Sequence, residues 1–233
     1  MMGNVLIPSI EQRLRGLMEV GRRNLHEHGM ERANPTVTIT REFGCEGYPV
    51  AERLQGILEH RCGKPWVVMD RALLDAVAKD HNLSEGILRN LGTKNRFLDD
   101  MLSSFSSRWK SDKDYYRLLC RQIVALATEG NVILVGRGAS ILTQNTGNCY
   151  HFRIIAPMSF KVKAVAARCG ISPDKAQDMV TEKQRQRDAF LKDFLGRDIT
   201  DPTLYHLVFN NARLSAQRMA EVMADVVMPT TRG

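Results

Sequence analysis

Three short stretches of the chain hold the residues best placed to do chemistry. Arg41-Glu42-Phe43-Gly44-Cys45-Glu46-Gly47-Tyr48-Pro49 follows a β-branched run. Asp70 closes a second apolar run, and Gly136-Arg137-Gly138 a third. A glycine-bearing loop between a strand and a helix aims backbone amides and a positive helix end at an anion. Gly44, Cys45, Glu46, Gly47 and Tyr48 are therefore candidates to bind phosphate, with Pro49 at the first helical position, where its missing N–H costs nothing. The full G-x-x-x-x-G-K-[ST] pattern is absent. On spacing alone a tight structural turn fits the loop as well as a phosphate cradle does.

These stretches need elements to hold them. Thr36 to Thr40 reads as a strand, and Val50, Leu54, Ile57 and Leu58 then recur at helical spacing up to Gly63. Pro65 to Met69 is a second strand, and helical segments fill Arg71 to about Ala127. Asn131 to Val135 has the continuous apolar character of a strand buried on both faces. Tyr150 to Ala156 and Tyr205 to Phe209 add two more, with helices over Pro157–Cys169, Pro173–Phe194 and Ser215–Val226. Alternating strands and helices predict an α/β domain with a five-stranded, mainly parallel sheet covered on both faces. Ligands of such sheets bind beyond the carboxyl ends of the strands, which is where the three stretches fall. Residues 1–33 read as an appended amphipathic helix: Ser9 and Gln12 have capping-box spacing, and Ile10, Leu14, Leu17, Met18 and Val20 share a side.

Composition narrows the class. The chain has 233 residues, 43% hydrophobic and 25% charged, an ordinary globular balance. No apolar run approaches the roughly 18 residues a membrane helix needs, and the first residues lack a signal-peptide pattern. Five widely spaced cysteines without a C-x-x-C pair argue against a disulfide framework or a zinc site and for a cytoplasmic location. No metal-ligand set stands out; His26 and His28 read as surface residues. The net charge of +7 suits anionic ligands, although surface composition alone could produce it.

A resemblance sharpens this reading. Thr38-Ile39-Thr40-Arg41-Glu42-Phe43-Gly44, with Gly47 and Val50-Ala51, is similar to the opening block of the cytidylate-kinase-like family, which has a P-loop kinase fold. Met69-Asp70-Arg71-Ala72-Leu73-Leu74, Val132 to Ala139, Phe152 to Pro157, and Asp201 to Asn210 with Arg213-Leu214 resemble four further blocks in the same order. The resemblance implies a P-loop NTPase domain over 34–233, with the monophosphate acceptor bound by residues about 70–129 and an arginine-bearing lid about 171–197. It implies ATP and Mg²⁺ as cofactors and a nucleotide and a small acceptor as partners. Arg137 and Asp70 would meet the acceptor, and Lys183, Arg185 and Arg187 are the lid cations. Asp70 also fits an N-cap, and the lid cations also fit a solvated basic face.

The departures from that family pattern bear on activity. In alignment with a true cytidylate kinase, Gly47 stands at the loop lysine, Pro49 at the Mg²⁺-binding hydroxyl, and Val135 at the acid before Gly-Arg. Glu46 brings a negative charge into the loop, and Arg41 is the nearby cation able to offset the missing lysine. The leading expectation is phosphoryl transfer from ATP to a nucleoside monophosphate, CMP-like, or a similar small acceptor. The alternative is a weak or inactive descendant retained to bind a nucleotide or a protein partner. A nucleic-acid-binding module ranks last, lacking any recognised motif. Whether the chain forms a homo-oligomer is left open.

Overall fold

The computed structural model describes residues 34–79 and 110–229. The expected N-terminal helix and much of the expected acceptor region lie outside these residues. Five strands form one sheet: β1 (Thr36–Arg41), β2 (Val67–Met69), β3 (Val132–Val135), β4 (Cys149–Ile155) and β5 (Leu207–Asn210), in the order β2-β3-β1-β4-β5. Every pairing is parallel. With helices on both faces, this is the architecture expected of a P-loop NTPase.

Alternation along each strand explains how the sheet fills two cores. Val37 and Ile39, Ile133 and Val135, Phe152 and Ile154 point to one face. There they meet α1 (Gly47–Cys62) through Val50, Leu54 and Leu58, and α7 (Ala216–Val227) through Met219, Met223 and Val227. Val67, Met69, Val132 and Leu134 point the other way, toward α2 (Arg71–Lys79), α3 (Lys110–Glu129) and the short α4 (Ala139–Leu142). Each large apolar side chain removed from water in these layers contributes about 1.5–3 kcal/mol.

Between β1 and the second face runs a buried polar stripe in which each hydroxyl has a partner. Thr36 Oγ1 donates to the Ala127 carbonyl at 2.8 Å. The Thr38 hydroxyl and His151 Nδ1 share a hydrogen bond of 2.9 Å, and the Thr40 and Ser140 hydroxyls one of 3.0 Å. Satisfied in this way, threonines can occupy a central strand without the cost of stranded polar groups.

Helix ends follow local signals. Gly63 closes α1 in the left-handed conformation, and Gly170 and Gly196 do the same for α5 (Met158–Cys169) and α6 (Pro173–Leu195). Ser172 and Ser215 cap α6 and α7 with their side chains. Among the departures from expectation are two boundaries with a local cause and one extra element. α1 starts at Gly47, two residues before Pro49, because Glu46 already accepts the first helical hydrogen bond, from Val50. Pro202–Leu204 forms a 3₁₀ turn capped by Asp201, which delays β5 to Leu207. The short α4 after Gly138 was not foreseen. All five cysteines are free, and no described helix is long and apolar enough to cross a membrane.

Candidate functional site

At the carboxyl ends of β1 and β3, under α6, lies a cavity of about 520 Å³. Among the described residues its wall carries six cationic side chains, Arg41, Arg71, Arg137, Arg153, Lys183 and Arg187, against one carboxylate, Asp188. Phe43, Val135, Phe190, Leu191 and Ile199 supply apolar surface beside them. Such a chamber suits a ligand with a strongly anionic end and a flat apolar part.

Arg41 reaches this cavity across two glycines. A Cβ at Gly47 would sit 2.9 Å from Arg41 Cδ, and one at Gly136 would overlap Arg41 Nη1. Gly136 also has φ +84°, a left-handed conformation in which glycine is at ease. Among the described residues the Arg41 guanidinium makes no hydrogen bond and no ion pair. Burial, and then the neighbouring Arg187, lower its pKa to about 10, while Asp70 opposes the shift. It stays charged at neutral pH although desolvated.

Arg137 comes from an uncommon backbone. Gly136, Arg137 and Gly138 are all left-handed, with Arg137 at φ 56°, a conformation unusual for a residue with a side chain. Gly138, at φ +72°, favours glycine by its backbone, and an added Cβ there would also overlap Leu195 Cδ1. The turn therefore packs closely under the last turn of α6. Arg137 Nη2 donates to both Asp75 oxygens, at 2.8 and 2.7 Å, while its buried Nε has no partner among the described residues.

α6 supplies the third arginine. Arg187 lies over the Phe43 ring at 5.1 Å and donates to the Arg41 carbonyl at 3.4 Å. Burial first, and Arg71 second, lower its pKa, while Asp188 opposes them. Lys183 lies one turn before it and also lines the cavity. Arg185 does not. Successive helical residues are about 100° apart, so the residue midway between Lys183 and Arg187 faces away. Arg185 pairs instead with Glu182 at 2.9 Å on the exposed side.

The β1–α1 loop is arranged differently from an open cradle. From Glu42 to Gly47, every amide except that of Gly44 has an acceptor within the chain. Phe43 N–H donates to Gln184 Oε1 at 2.8 Å, and Glu46 N–H to Asn211 Oδ1 at 2.8 Å. Glu42, Cys45 and Gly47 donate to the carbonyls of Ile154, Glu42 and Cys45. None of Gly44, Cys45, Glu46, Gly47 and Tyr48 lines the cavity. Lys161 fills the space beside Gly44, where its Cβ would be 2.9 Å from an added methyl. Burial pushes the Cys45 thiol up to about 11, so it is no nucleophile at neutral pH.

The positions that align with the Mg²⁺-binding hydroxyl and the neighbouring acid of the resembled kinases carry residues that do not fit that ion. Pro49 offers no hydroxyl and Val135 no carboxylate. Glu42 is held by Lys161 Nζ at 2.8 Å and the Ala156 N–H at 3.3 Å, and Glu46 accepts from Asn211 Nδ2 at 2.9 Å. Among the described residues no group of three or more potential metal ligands occurs.

Of the expected site residues, the structure brings Arg41, Arg137 and Arg187 to one cavity. Asp70 caps α2 through Leu73 N–H at 3.0 Å and does not line it. Gln184, Asn211, Lys161 and Arg153 were not foreseen. Arg153 packs 5.8 Å over the Tyr205 ring and donates to the Ile199 carbonyl, forming a fixed wall. The Asn-Asn pair that closes the last strand, at the ligand end of the sheet, was the one available signal for Asn211.

The family of cytidylate kinase-like proteins matches residues 36–213, the span that builds this sheet and cavity. The chain belongs to the cytidylate kinase-like family. It is similar to a cytidylate kinase of Methanopyrus kandleri, 26% identical over 177 residues, covering 72% of this chain and 89% of that one. A cytidylate kinase of Pyrococcus horikoshii is 33% identical over 107 residues, 46% of this chain and 54% of the relative. The crystal structure of an uncharacterized protein from Eubacterium ventriosum shares the fold, with a TM-score of 0.65 at 22% identity over 83% of this chain and 98% of that chain.

Proposed function

We propose that the protein is a cytoplasmic nucleotide kinase that moves the γ-phosphoryl group of ATP to a nucleoside monophosphate, CMP-like, or a similar small acceptor. The observation that carries this reading is the desolvated Arg41 guanidinium, unpaired among the described residues, between Arg137 and Arg187 in one cavity. In the step itself, an acceptor oxygen forms a bond to the γ-phosphorus as the bond to the β,γ-bridging oxygen breaks and ADP leaves. Charge spreads over the transferring oxygens, and fixed cations stabilise it without reorganising. Arg137 would orient the acceptor, and Arg41 and Arg187 the group in flight. No step is assigned to Mg²⁺, because the residues that would hold it do not fit it.

A second reading has its own support. The satisfied amides of the β1–α1 loop and the glycine in place of its lysine favour a slow enzyme, or a domain retained for binding. Single-turnover transfer from labelled ATP across a monophosphate panel separates the two. The expected result is slow transfer, reduced by roughly a hundred- to a thousandfold in Arg41→Ala, with a smaller loss of ATP affinity. Equal rates in parent and variant would remove Arg41 from the mechanism, and no transfer to any acceptor would leave the binding-only reading.

A further inference from the structure

We infer that the cavity binds the phosphate chain of a nucleotide in its metal-free form, with arginine side chains standing where a divalent cation would. This rests on the reading that the cavity receives nucleotide phosphates, and it goes beyond that reading by naming the ionic form of the ligand. Three independent features support it.

The first is charge. Among the described residues, six cationic side chains and a single carboxylate line the wall, and that carboxylate, Asp188, already accepts from Gln184 Nε2 at 2.7 Å. Arg71 and Arg137 share Asp75 and Arg153 lies 3.9 Å from Glu42, which leaves Arg41, Lys183 and Arg187 without a salt bridge among the described residues. A Mg²⁺ ion carried in on the phosphates would cancel part of the ligand's charge and be repelled by the surrounding guanidiniums. The bare phosphate chain keeps its full attraction.

The second is the donor set. Mg²⁺ prefers one or two carboxylates or hydroxyls together with phosphate oxygens and water. Glu42 and Glu46, the two carboxylates of the loop, are each committed to partners within the chain.

The third is the demand for an anion. Among the described residues, Arg41 is buried without a hydrogen bond or ion pair, and Arg137 keeps a buried Nε without a partner. Guanidinium forks match phosphate oxygens in shape and charge. The loop amides that would otherwise read the phosphates are turned to Gln184 and Asn211, so side chains must read them instead.

Isothermal titration of the full chain with ATP, in EDTA and in excess MgCl₂, tests this directly. The expected result is affinity about tenfold higher in EDTA. Arg41→Gln and Arg187→Gln should each weaken that affinity by about tenfold or more, with unchanged circular-dichroism melts. Arg218→Gln, exposed on α7 and paired with Glu221, should bind like the parent. If Arg41→Gln fails to fold, Arg187→Gln decides. Affinity that is equal or higher with Mg²⁺, no binding in either medium, or unchanged affinity in the folded arginine variants overturns the inference. Tight metal-free binding without transfer to any monophosphate would refute the kinase reading and leave this site standing. Transfer by a chain that binds ATP only with Mg²⁺ would do the reverse.

Discussion

On the α1/α7 side of the sheet, β1 and β4 bury Val37, Ile39, Phe152 and Ile154; on the side of α3 and α4 the same strands bury Thr36, Thr38, Thr40, His151 and Arg153. Both sets are almost inaccessible to water, yet they are held by different physics. The apolar face gains from area removed from water and needs no partner in register. The polar face gains only where each donor meets an acceptor, and loses heavily where it does not. The polar stripe also leads to the cavity, since Thr40 and Arg153 are themselves part of its wall. One face of the sheet therefore supplies stability, and the other both stability and the site.

The largest effect should come from the apolar face. Phe152 is fully buried against Phe209 and α7. Phe152→Ala should lower unfolding free energy by about 3–5 kcal/mol, and by nearly the same amount at pH 5 and pH 7.5. The side chain does not itself titrate, and its ionisable neighbour His206, 6.3 Å away between ring centroids, is already exposed to water. A urea series at the two pH values checks both statements, and a loss that varies strongly with pH would show that the faces are not energetically separate.

The next effect belongs to the polar face and depends on acid. His151 is buried beside Thr38, and desolvation, with a smaller push from His206, lowers its pKa from 6.5 to about 4. Between those values the unfolded chain takes up a proton that the folded chain refuses, so stability is full above about pH 6.5, falls as pH drops toward 4, and levels off below. The difference amounts to about 3 kcal/mol at most. Melts of parent and His151→Gln from pH 7.5 to 4 should converge at the acid end; a parallel pair of curves would assign the acid sensitivity elsewhere.

How much of this could be read in advance differs between the same two faces. The strands and the apolar periodicity of α1 and α7 are local patterns, and their boundaries were legible to within a few residues. So were Gly63 and Asp70 as helix punctuation. The pairing of Phe43 N–H with Gln184, or of Glu46 with Asn211, spans more than 140 positions, and no local pattern encodes it. Glycines after β1 carry the same letters whether they admit a phosphate or, as at Gly47, the chain's own Arg41. On α6, helical phase was enough to separate Arg187 from Arg185, but only once it was known which side of the helix meets the sheet.

The smallest effect asks whether the polar face can be converted into the apolar one. The Thr40 and Ser140 hydroxyls share one hydrogen bond, and both residues are buried. Thr40→Val keeps the shape of the side chain but leaves the Ser140 hydroxyl without its partner, and Ser140→Ala does the same to Thr40. Each single change should cost about 1–2 kcal/mol, chiefly the desolvation of the group left behind. The double variant strands neither hydroxyl. It should therefore lose less than the sum of the singles, by about 1 kcal/mol, a coupling that urea unfolding midpoints can resolve. Strict additivity would mean that each hydroxyl finds relief in water or in another partner once its neighbour is gone. The stripe would then be adaptable rather than obligatory, and the contrast between the faces would rest on His151 and the arginines alone.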